Sequence, residues 1–448
     1  MKMSRPVKKT ISTLALSASL TIGGGLVSVA VLPPPTAVAQ SSGSSGSSGE
    51  RRQPNDVEFG DDHVDGPLVV SVIGDLLGVG ISDDIGLLIG DLGIMAQIGE
   101  GEEFAIIFGD SWRGPAFGQG EWMSPVGVVA VKNPDGRIEI LRPLNEGEIA
   151  EQLIDYSHDN GITVIPSDAI NIDGTLYMQG MWNQGIGNVL CTQIWKSEDN
   201  GASWESVGVT DTSYMNGLGN LITWEMGPDG YVYVMSSEFK RADDVYLSRF
   251  RPAQIADRST WEHYDTRTGT WSATFAGTPI LADDVSAGEM TLRYIEGHWV
   301  LAMFNAETYT VEVRITGNIT DDWDAVTPAP VILGGNWRDP QDAGNFAQVY
   351  GAYIVPGSTI GNMDLVVSQW NTANNRRYMS TQFNVTGLDE SFGIGTDVAA
   401  PQGRMAPQTV PQDRVGDASV LGVTEVEVTD QAPEQGFLGT DLTVVPLQ

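Results

Sequence analysis

The sequence has one cysteine, Cys191, and four histidines among its 448 residues. A single thiol cannot form an intramolecular disulfide, so the fold must be held by its core rather than by cross-links. A structural zinc site needs about four clustered nitrogen or sulfur ligands, which this composition does not offer. We therefore expect no metal centre of that kind and no cofactor.

Basic residues are also scarce, since 24 Lys and Arg stand against 58 Asp and Glu, for a formal net charge of -34. So acidic a surface repels nucleic acid and anionic lipid. A neutral polysaccharide is compatible with this charge. Nothing in the sequence indicates a protein partner, and we expect a monomer.

Long apolar runs are absent except for Ile11 to Leu32, which follows four basic residues and precedes Ala37-Val38-Ala39. This order is typical of a signal peptide over residues 1–39, although the run is also long enough for an uncleaved membrane anchor. Cleavage would move the formal net charge from -34 to about -38, because the segment holds four basic and no acidic residues. We expect a secreted or cell-wall-associated protein.

Residues 40–62 contain the Ser/Gly repeat Ser41–Gly49 and read as a flexible linker. Residues 395–448 are nearly free of aromatic residues and read as an extended tail or a small β appendage. Helical periodicity is sustained only over Glu146–Tyr156. The remainder, residues 63–394, predicts an all-β domain of about twenty short strands, which favours a β-propeller over a two-sheet sandwich.

The segment Ser197–Trp204 fits the pattern S-x-D-x-G-x-[ST]-W, known as an Asp box. In this motif the Asp caps backbone N–H groups, Gly takes a positive φ and Trp packs below the turn. Asp boxes recur on the outer turns of sialidase-like propellers, so Asp199 is predicted to be structural. The motif supports a propeller and says nothing about sialidase chemistry.

Two aspartates are the main candidates for catalysis. Ile94–Ile98 and Phe104–Phe108 predict two strands joined by a four-residue turn, which places Asp91 directly opposite Asp110. Opposed carboxylates lie close enough to repel, so the pKa of one of them rises and a proton donor can persist near neutral pH. Glycosidic cleavage needs such a pair, one protonated acid and one carboxylate.

An alternative is that these Gly-Asp pairs are plain turn residues or calcium ligands. Other acidic pairs, Asp61-Asp62, Asp83-Asp84 and Asp283-Asp284, could bind a structural calcium ion through their oxygens. None of them has the spacing of a known calcium loop.

Several segments, in this order, resemble the DUF4185 family. They are Gly90–Met95, Phe108–Trp112, Trp122–Pro125, Ile165–Ile170, the Asp box, Asp229–Met235, Gly288–Tyr294, Tyr350–Tyr353, Ser368–Trp370 and Tyr378-Met379. The resemblance implies a five-bladed propeller with endo-D-arabinanase activity, as in glycoside hydrolase family 183. It implies cleavage of internal D-arabinofuranosyl linkages in cell-wall arabinan (arabinogalactan or lipoarabinomannan), with Asp91 and Asp110 as the catalytic pair. The chain departs from the family pattern at Gly90, where Thr or a similar small polar residue is usual, and at Ser111, where Thr is usual.

Further residues could complete a sugar site. Glu289 is a candidate third catalytic carboxylate, or alternatively the structural partner of Arg293. Candidate substrate-binding residues are Arg293 and the aromatic residues Trp112, Trp122, Tyr350, Tyr353 and Trp370. The competing function is a non-catalytic propeller that binds cell-wall polysaccharide. A sialidase is disfavoured because its substrate carboxylate needs a cluster of arginines.

Overall fold

The computed structural model describes residues 53–185 and 187–395. The predicted signal segment, the Ser/Gly repeat and the tail beyond Gly395 lie outside the described residues. Residues 53–62, which the sequence assigns to the linker, contact the folded part. Asn55 accepts a hydrogen bond from the Tyr378 amide, and Phe59 forms a β-bridge with Gln341.

Twenty-five strands run through the described residues. They are β1 (His63–Asp65), β2 (Leu68–Asp75), β3 (Ile89–Gln97), β4 (Phe104–Trp112), β5 (Trp122–Met123), β6 (Val126–Lys132), β7 (Ile138–Pro143), β8 (Ile162–Ile172), β9 (Thr175–Gln184), β10 (Val189–Ser197), β11 (Glu205–Asp211), β12 (Leu221–Met226), β13 (Val232–Ser237), β14 (Val245–Phe250), β15 (Glu262–Asp265), β16 (Thr270–Ser272), β17 (Pro279–Leu281), β18 (Ala287–Ile295), β19 (His298–Asn305), β20 (Thr310–Thr316), β21 (Ala329–Gly335), β22 (Phe346–Ala347), β23 (Val349–Ile354), β24 (Asn362–Trp370) and β25 (Tyr378–Thr386).

Helical structure in the described part of the chain is limited to short segments. One α-helix, α1, spans Leu388–Ser391, and 3₁₀ turns cover Asp159–Gly161, Tyr214–Gly217, Pro252–Gln254 and Arg258–Thr260. None of these helices is long and apolar enough to cross a membrane. The all-β prediction is confirmed.

The strands form mostly antiparallel sheets between sequence neighbours. One sheet has the order β11-β10-β9-β8, a second runs β12 to β16 with β17 beside β14, and a third runs β18 to β22. The largest sheet joins two antiparallel arrays, β3-β4-β6-β7 and β23-β24-β25-β2-β1, with β5 beside β4. A single parallel bridge between Met379 and Gly90 connects them.

The first strands of these arrays contact one another in a closed ring: β3 with β8, β8 with β12, β12 with β18, β18 with β23, and β23 with β3. These strands are buried along most of their length. Strands packed on both faces carry few polar positions, which explains their nearly continuous runs of buried residues. The ring has two ends, one at the amino ends of its strands and one at the carboxyl ends.

The array of β23 to β25 is completed from the other end of the chain, because β2 pairs with β25 from Val69–Thr386 to Asp75–Thr381. At the same place the buried Arg377 guanidinium donates to both carboxylate oxygens of Asp75, at 2.6 and 2.7 Å. Arg377 also donates to the Asn55 carbonyl at 2.9 Å. This ion pair fixes the amino-terminal strand to the last one.

The helix predicted over Glu146–Tyr156 is wrong. Backbone amides of this segment donate hydrogen bonds to carbonyl groups outside it and not to the preceding turn of a helix. The Ala150 amide donates to the Ile85 carbonyl at 2.8 Å, and the Leu153 amide donates to the Pro125 carbonyl at 2.9 Å. Leu153 and Ile154 pack in the hydrophobic core instead, and Ile149 is exposed. Tertiary contacts therefore override the local periodicity.

The Asp box adopts the predicted turn between β10 and β11. Asp199 accepts hydrogen bonds from the Ser203 amide at 2.9 Å and the Ser197 hydroxyl at 2.7 Å. Gly201 has a φ of 96°, and the Trp204 indole donates to its carbonyl at 3.0 Å. β11 is an edge strand of its sheet, so the motif lies on an outer turn, as expected for a structural role.

Replacing Asp75 by Asn should destabilise the protein by about 3 kcal/mol, because it leaves the buried Arg377 guanidinium without its counter-ion. Urea unfolding followed by tryptophan fluorescence would measure the loss. Asp65→Asn is the matched control, since Asp65 is exposed on β1 and should change stability by less than about 0.5 kcal/mol. Equal effects of the two substitutions would contradict this role for the ion pair.

Candidate active site

The hairpin of β3 and β4 brings Asp91 and Asp110 to the amino end of the ring. Its register pairs Gly90 with Ser111 and Ile94 with Ile107, as the sequence predicted. Between them the register shifts, because Leu92 pairs with Phe108 and not with Gly109. Asp91 therefore lies opposite a bulge that contains Gly109 and Asp110, and β-bulges often redirect side chains beside active sites.

The backbone around Asp91 is strained and tightly held. Leu92 has a φ of 61°, which is uncommon for a residue that is not Gly, Asn or Asp. Its amide donates to the Ser368 hydroxyl and its carbonyl accepts from the Ser380 hydroxyl, both at 2.8 Å. Strain of this kind persists only where surrounding contacts enforce it, and it clusters at functional sites.

Gly109 allows the two acidic residues to come together. A Cβ atom at this position would lie 2.7 Å from Asp91 Oδ1. Such a contact is too short for carbon and oxygen, so a larger residue would push the Asp91 carboxyl group away. The glycine before the second aspartate is thus required by the close approach of the hairpin strands.

A pocket of about 360 Å³ opens at this end of the ring. Its walls come from the amino ends of the inner strands and from the loops beside them. The residues that line it are Asp91, Leu92, Asp110, Ile165, Phe239, Arg241, Glu289, Phe304, Tyr309, Gln348, Val349, Tyr350, Trp370, Thr372 and Tyr378. The size is that of a small-ligand site.

Asp91 is 8% exposed, and its Oδ2 atom accepts a hydrogen bond from the Tyr350 hydroxyl at 2.9 Å. Its Oδ1 atom is buried and has no hydrogen-bond partner. Loss of water, followed by repulsion from Asp110, raises the pKa of Asp91 to about 8, against the opposing effect of the tyrosine hydroxyls. Asp91 therefore holds a proton at neutral pH.

Asp110 lies in a more polar environment. Burial raises the pKa of its carboxyl group, and the hydrogen bond from Thr163 and the nearby His158 act in the opposite direction. The Thr163 hydroxyl donates to Asp110 Oδ1 at 3.0 Å. These donors oppose the effect of burial, and the pKa of Asp110 nevertheless lies above its usual value.

Glu289, from the start of β18, completes the acidic lining of the pocket, although it is ion-paired. Arg241 donates to both of its carboxylate oxygens, at 3.2 and 2.6 Å. The same guanidinium lies over the Tyr350 ring, with 5.0 Å between the Arg241 Cζ atom and the ring centroid. Glu289 is thus fixed in place by a positive charge, and its partner is Arg241 rather than Arg293.

Several residues of the pocket rim have unusual backbone conformations. Arg241, Tyr309 and Gln348 have φ values of 55°, 58° and 53°. With Leu92, four residues that are neither Gly, Asn nor Asp line one pocket in this sparsely populated region. The concentration of strained residues makes this pocket the candidate functional site.

The predicted aromatic residues occupy different positions. Tyr350 and Trp370 line the pocket, and the Trp122 ring stacks on His158 at 3.5 Å between centroids, beside Asp110. Trp112 lies behind the wall, packed on Tyr378 at 5.4 Å. Tyr353 is buried, its hydroxyl has no hydrogen-bond partner, and it does not line the pocket.

Arg293 is not brought to the carboxylates. Its guanidinium donates to both oxygens of the buried Asp168, at 3.1 and 3.2 Å, and to the Met95 carbonyl at 3.0 Å. It lines a second depression, of about 450 Å³, formed at the carboxyl ends of the inner strands. An extended strand rises about 3.3 Å per residue, so Arg293 lies about 13 Å further along β18 than Glu289 and therefore at the other end of the ring.

Several residues of the pocket were missed from the sequence. Tyr378 belongs to a segment that resembles the family, and this resemblance could have identified it as a residue of the pocket. Arg241, Phe239 and Tyr309 come from loops and strand ends with no motif, and nothing in their local sequence distinguishes them. Among the described residues that line the pocket, the arginine is Arg241.

The acidic pairs considered as calcium ligands do not converge. Among residues 53–185 and 187–395, no group of three or more His, Cys, Asp or Glu side chains is arranged to hold a metal ion. Asp83, for example, accepts a hydrogen bond from the Gly80 amide at 2.7 Å, as a turn residue does.

The fold and the site define an all-β protein with a pocket built around one buried aspartate, one partly buried aspartate and an Arg–Glu ion pair. The sequence matches the family described as "Domain of unknown function (DUF4185)" over residues 80–384. The chain belongs to this family.

A relative is the "Uncharacterized 35.9 kDa protein in asd 3′ region" of Mycolicibacterium smegmatis, which is 28% identical over 324 residues. The match covers 66% of this chain and 93% of that protein. Its name carries no function.

Among solved structures, a "putative hydrolase" from Bacteroides ovatus is similar with a TM-score of 0.53 and 12% identity, covering 74% of this chain and 93% of that one. This likeness concerns the fold. An exo-β-1,3-galactanase from Clostridium thermocellum matches with a TM-score of 0.41 and 10% identity, over 66% of this chain and 62% of that one.

The protonated state of Asp91 predicts a pH-dependent stability difference. The carboxyl group keeps its proton up to about pH 8 in the folded state but ionises near pH 3.8 when unfolded. Between these values the folded state binds more protons, so its stability falls as pH rises. Asp91→Asn removes this loss and should gain stability over the wild type as pH rises from 4 to 8, by on the order of several kcal/mol.

Urea unfolding at pH 4, 6 and 8 would measure this difference. Asp173→Asn is the control, because Asp173 is exposed in a turn with a φ of 51° that Asn also tolerates. If the gap between Asp91→Asn and the wild type stays constant with pH, Asp91 does not carry a proton in the folded state.

Proposed function

We propose that this protein is a glycoside hydrolase that cleaves internal D-arabinofuranosyl linkages in cell-wall arabinan. The observation that carries the proposal is the pair of aspartates in one pocket: burial raises the pKa of both, that of Asp91 to about 8, and the Thr163 hydroxyl opposes the rise at Asp110. Glycoside hydrolysis requires one protonated acid and one carboxylate, and we assign these roles to Asp91 and Asp110.

In this mechanism Asp91 is the general acid. Its proton goes to the glycosidic oxygen as the bond to the anomeric carbon breaks, which removes the need to expel a charged alkoxide. Asp110 is the carboxylate that stabilises the positive charge on the sugar ring, either by attacking the anomeric carbon or by activating a water molecule. The Thr163 hydroxyl holds Asp110 in position through its hydrogen bond.

Glu289 and Arg241 orient the substrate. Because Arg241 balances its charge and holds it in place, the Glu289 carboxylate can accept hydrogen bonds from sugar hydroxyl groups. The guanidinium in turn is a donor to ring or hydroxyl oxygens. Trp370 and Phe304 offer flat apolar surfaces in the same pocket, which suit the apolar faces of furanose rings.

The choice of arabinan rests on the resemblance of the ordered segments to endo-D-arabinanases and on membership of the DUF4185 family. The net charge of -34 is consistent with a neutral polymer as substrate.

We further propose that the ring of inner strands is the centre of a five-bladed propeller. Its blades would begin with β3, β8, β12, β18 and β23, and the β23 blade would be completed by β2.

Export and a place in or near the cell wall complete the proposal. The signal-like segment of residues 1–39 supports export. The single cysteine is compatible with export, because it forms no intramolecular disulfide. A chain that acts alone on a polymer requires no protein partner, and we propose a monomer without a cofactor.

Purified protein should release oligosaccharides from D-arabinan and not from L-arabinan or a sialoglycan. Asp91→Asn and Asp110→Asn should each lower the rate by at least about 100-fold, because general acid and base groups contribute this much. Asp173→Asn should retain full activity. Binding of D-arabinan without any release by the wild type would instead identify a non-catalytic polysaccharide-binding protein.

The pH profile should depend on Tyr350. Its hydroxyl donates to Asp91 and stabilises the charged form, so Tyr350→Phe should raise the pKa of Asp91. The alkaline limb of kcat/KM, expected near pH 8 in the wild type, should move up by about one pH unit. Tyr294→Phe is the control, since Tyr294 lines the opposite depression. An unmoved limb would show that Asp91 is not the titrating acid.

A further inference from the structure

An open groove of about 580 Å³ lies beside the pocket, and we name it the outer groove. Its residues come from the amino-terminal segment 53–57, from Trp337 and from the turn 371–377 between β24 and β25. The turn separates the two depressions. Trp370, Thr372 and Tyr378 line the pocket, whereas Asn371, Asn374 and Arg376 line the groove.

Hydrogen bonds join the two sides of this wall. The Trp337 indole donates to the Gln348 side chain at 3.1 Å, and Gln348 lines the pocket. Gln348 also accepts from the Thr372 amide at 3.0 Å and donates to the Thr372 hydroxyl at 2.7 Å. The Gln348 side chain therefore lies between the pocket and the outer groove, and a polymer chain can span the width of one side chain.

The turn between them is rigid. The Asn371 amide donates to the Arg377 carbonyl and the Asn375 amide to the Asn371 carbonyl, both at 2.8 Å. The Trp370 indole donates to the Asn375 side chain at 2.9 Å. A preordered wall loses little conformational entropy when a ligand binds against it.

The chemistry of the outer groove fits an uncharged, hydroxyl-rich ligand. Trp337 is partly exposed and offers an aromatic surface, and Asn374 offers an exposed carboxamide. The exposed charges, Asp56 and Arg376, are of opposite sign, and Arg377 is already paired with Asp75. The groove therefore has no excess of positive charge that would select an anion.

We propose that the outer groove is a distal subsite that binds sugar residues of the same polysaccharide chain whose linkage lies at Asp91 and Asp110. This inference rests on the proposed function, and it explains how the enzyme would favour long chains. The chain would cross the turn 371–377, with Trp337 stacked on a furanose ring and Asn374 bonded to hydroxyl groups.

The test compares kcat/KM for D-arabinan oligosaccharides of increasing length and for the polymer. Trp337→Ala should lower the rate by about 10-fold on long chains, with a loss that grows with chain length. Trp337→Phe should restore most of the preference, because it keeps an aromatic face while it removes the N–H donor to Gln348. Arg338→Ala, an exposed neighbour outside the groove, is the control.

An equal loss on all chain lengths, or no loss, would overturn the distal subsite. If the wild type cleaves none of the arabinans, the proposed function fails, and the groove is then tested by calorimetric titration with the longest oligosaccharide. Weaker binding to Trp337→Ala than to the wild type supports the subsite in that case. Binding of equal strength, or no binding to either protein, overturns it.

Discussion

The ion pair between Arg293 and Asp168 at the centre of the ring is the interaction on which the rest depends. Arg293 extends from β18 to Asp168 on β8, to the Met95 carbonyl on β3 and to the Trp224 carbonyl on β12. Asp168 also accepts from the Thr223 hydroxyl at 2.7 Å. A buried pair offsets its desolvation cost only when its hydrogen bonds are satisfied, and here those bonds tie four inner strands together.

The pair lies on the axis of the ring towards its carboxyl end, and the acidic pocket lies at the other end. The amino ends of β3, β18 and β23 supply Asp91, Glu289 and Tyr350, and β4 adds Asp110. Rigid strands hold these groups together despite their mutual repulsion. The other end holds Glu225, whose pKa burial raises to about 7 while the nearby Arg293 lowers it, and Glu296, whose carboxylate accepts a hydrogen bond from the Ile360 amide.

Strain and close packing around the aspartates explain why the site can tolerate two acids. Leu92 is held at a positive φ by two serine hydroxyls, and Gly109 leaves room for the Asp91 carboxyl group. Removal of water raises the pKa of both carboxyl groups, that of Asp91 to about 8, and the Thr163 hydroxyl opposes the rise at Asp110. The protonation of each acid thus depends on its neighbours and not only on the residue itself.

The sequence by itself determined the strands, the Asp box and the hairpin that brings Asp91 to Asp110, because these depend on local alternation and turn residues. It failed at Glu146–Tyr156, where tertiary contacts replaced helical hydrogen bonds. Only the tertiary structure decided that Glu289 pairs with Arg241 and that Arg293 lies at the far end of the ring. Glu289 and Arg241 are separated by 48 residues along the chain, and Arg293 and its partner Asp168 by 125. No local pattern encodes such contacts.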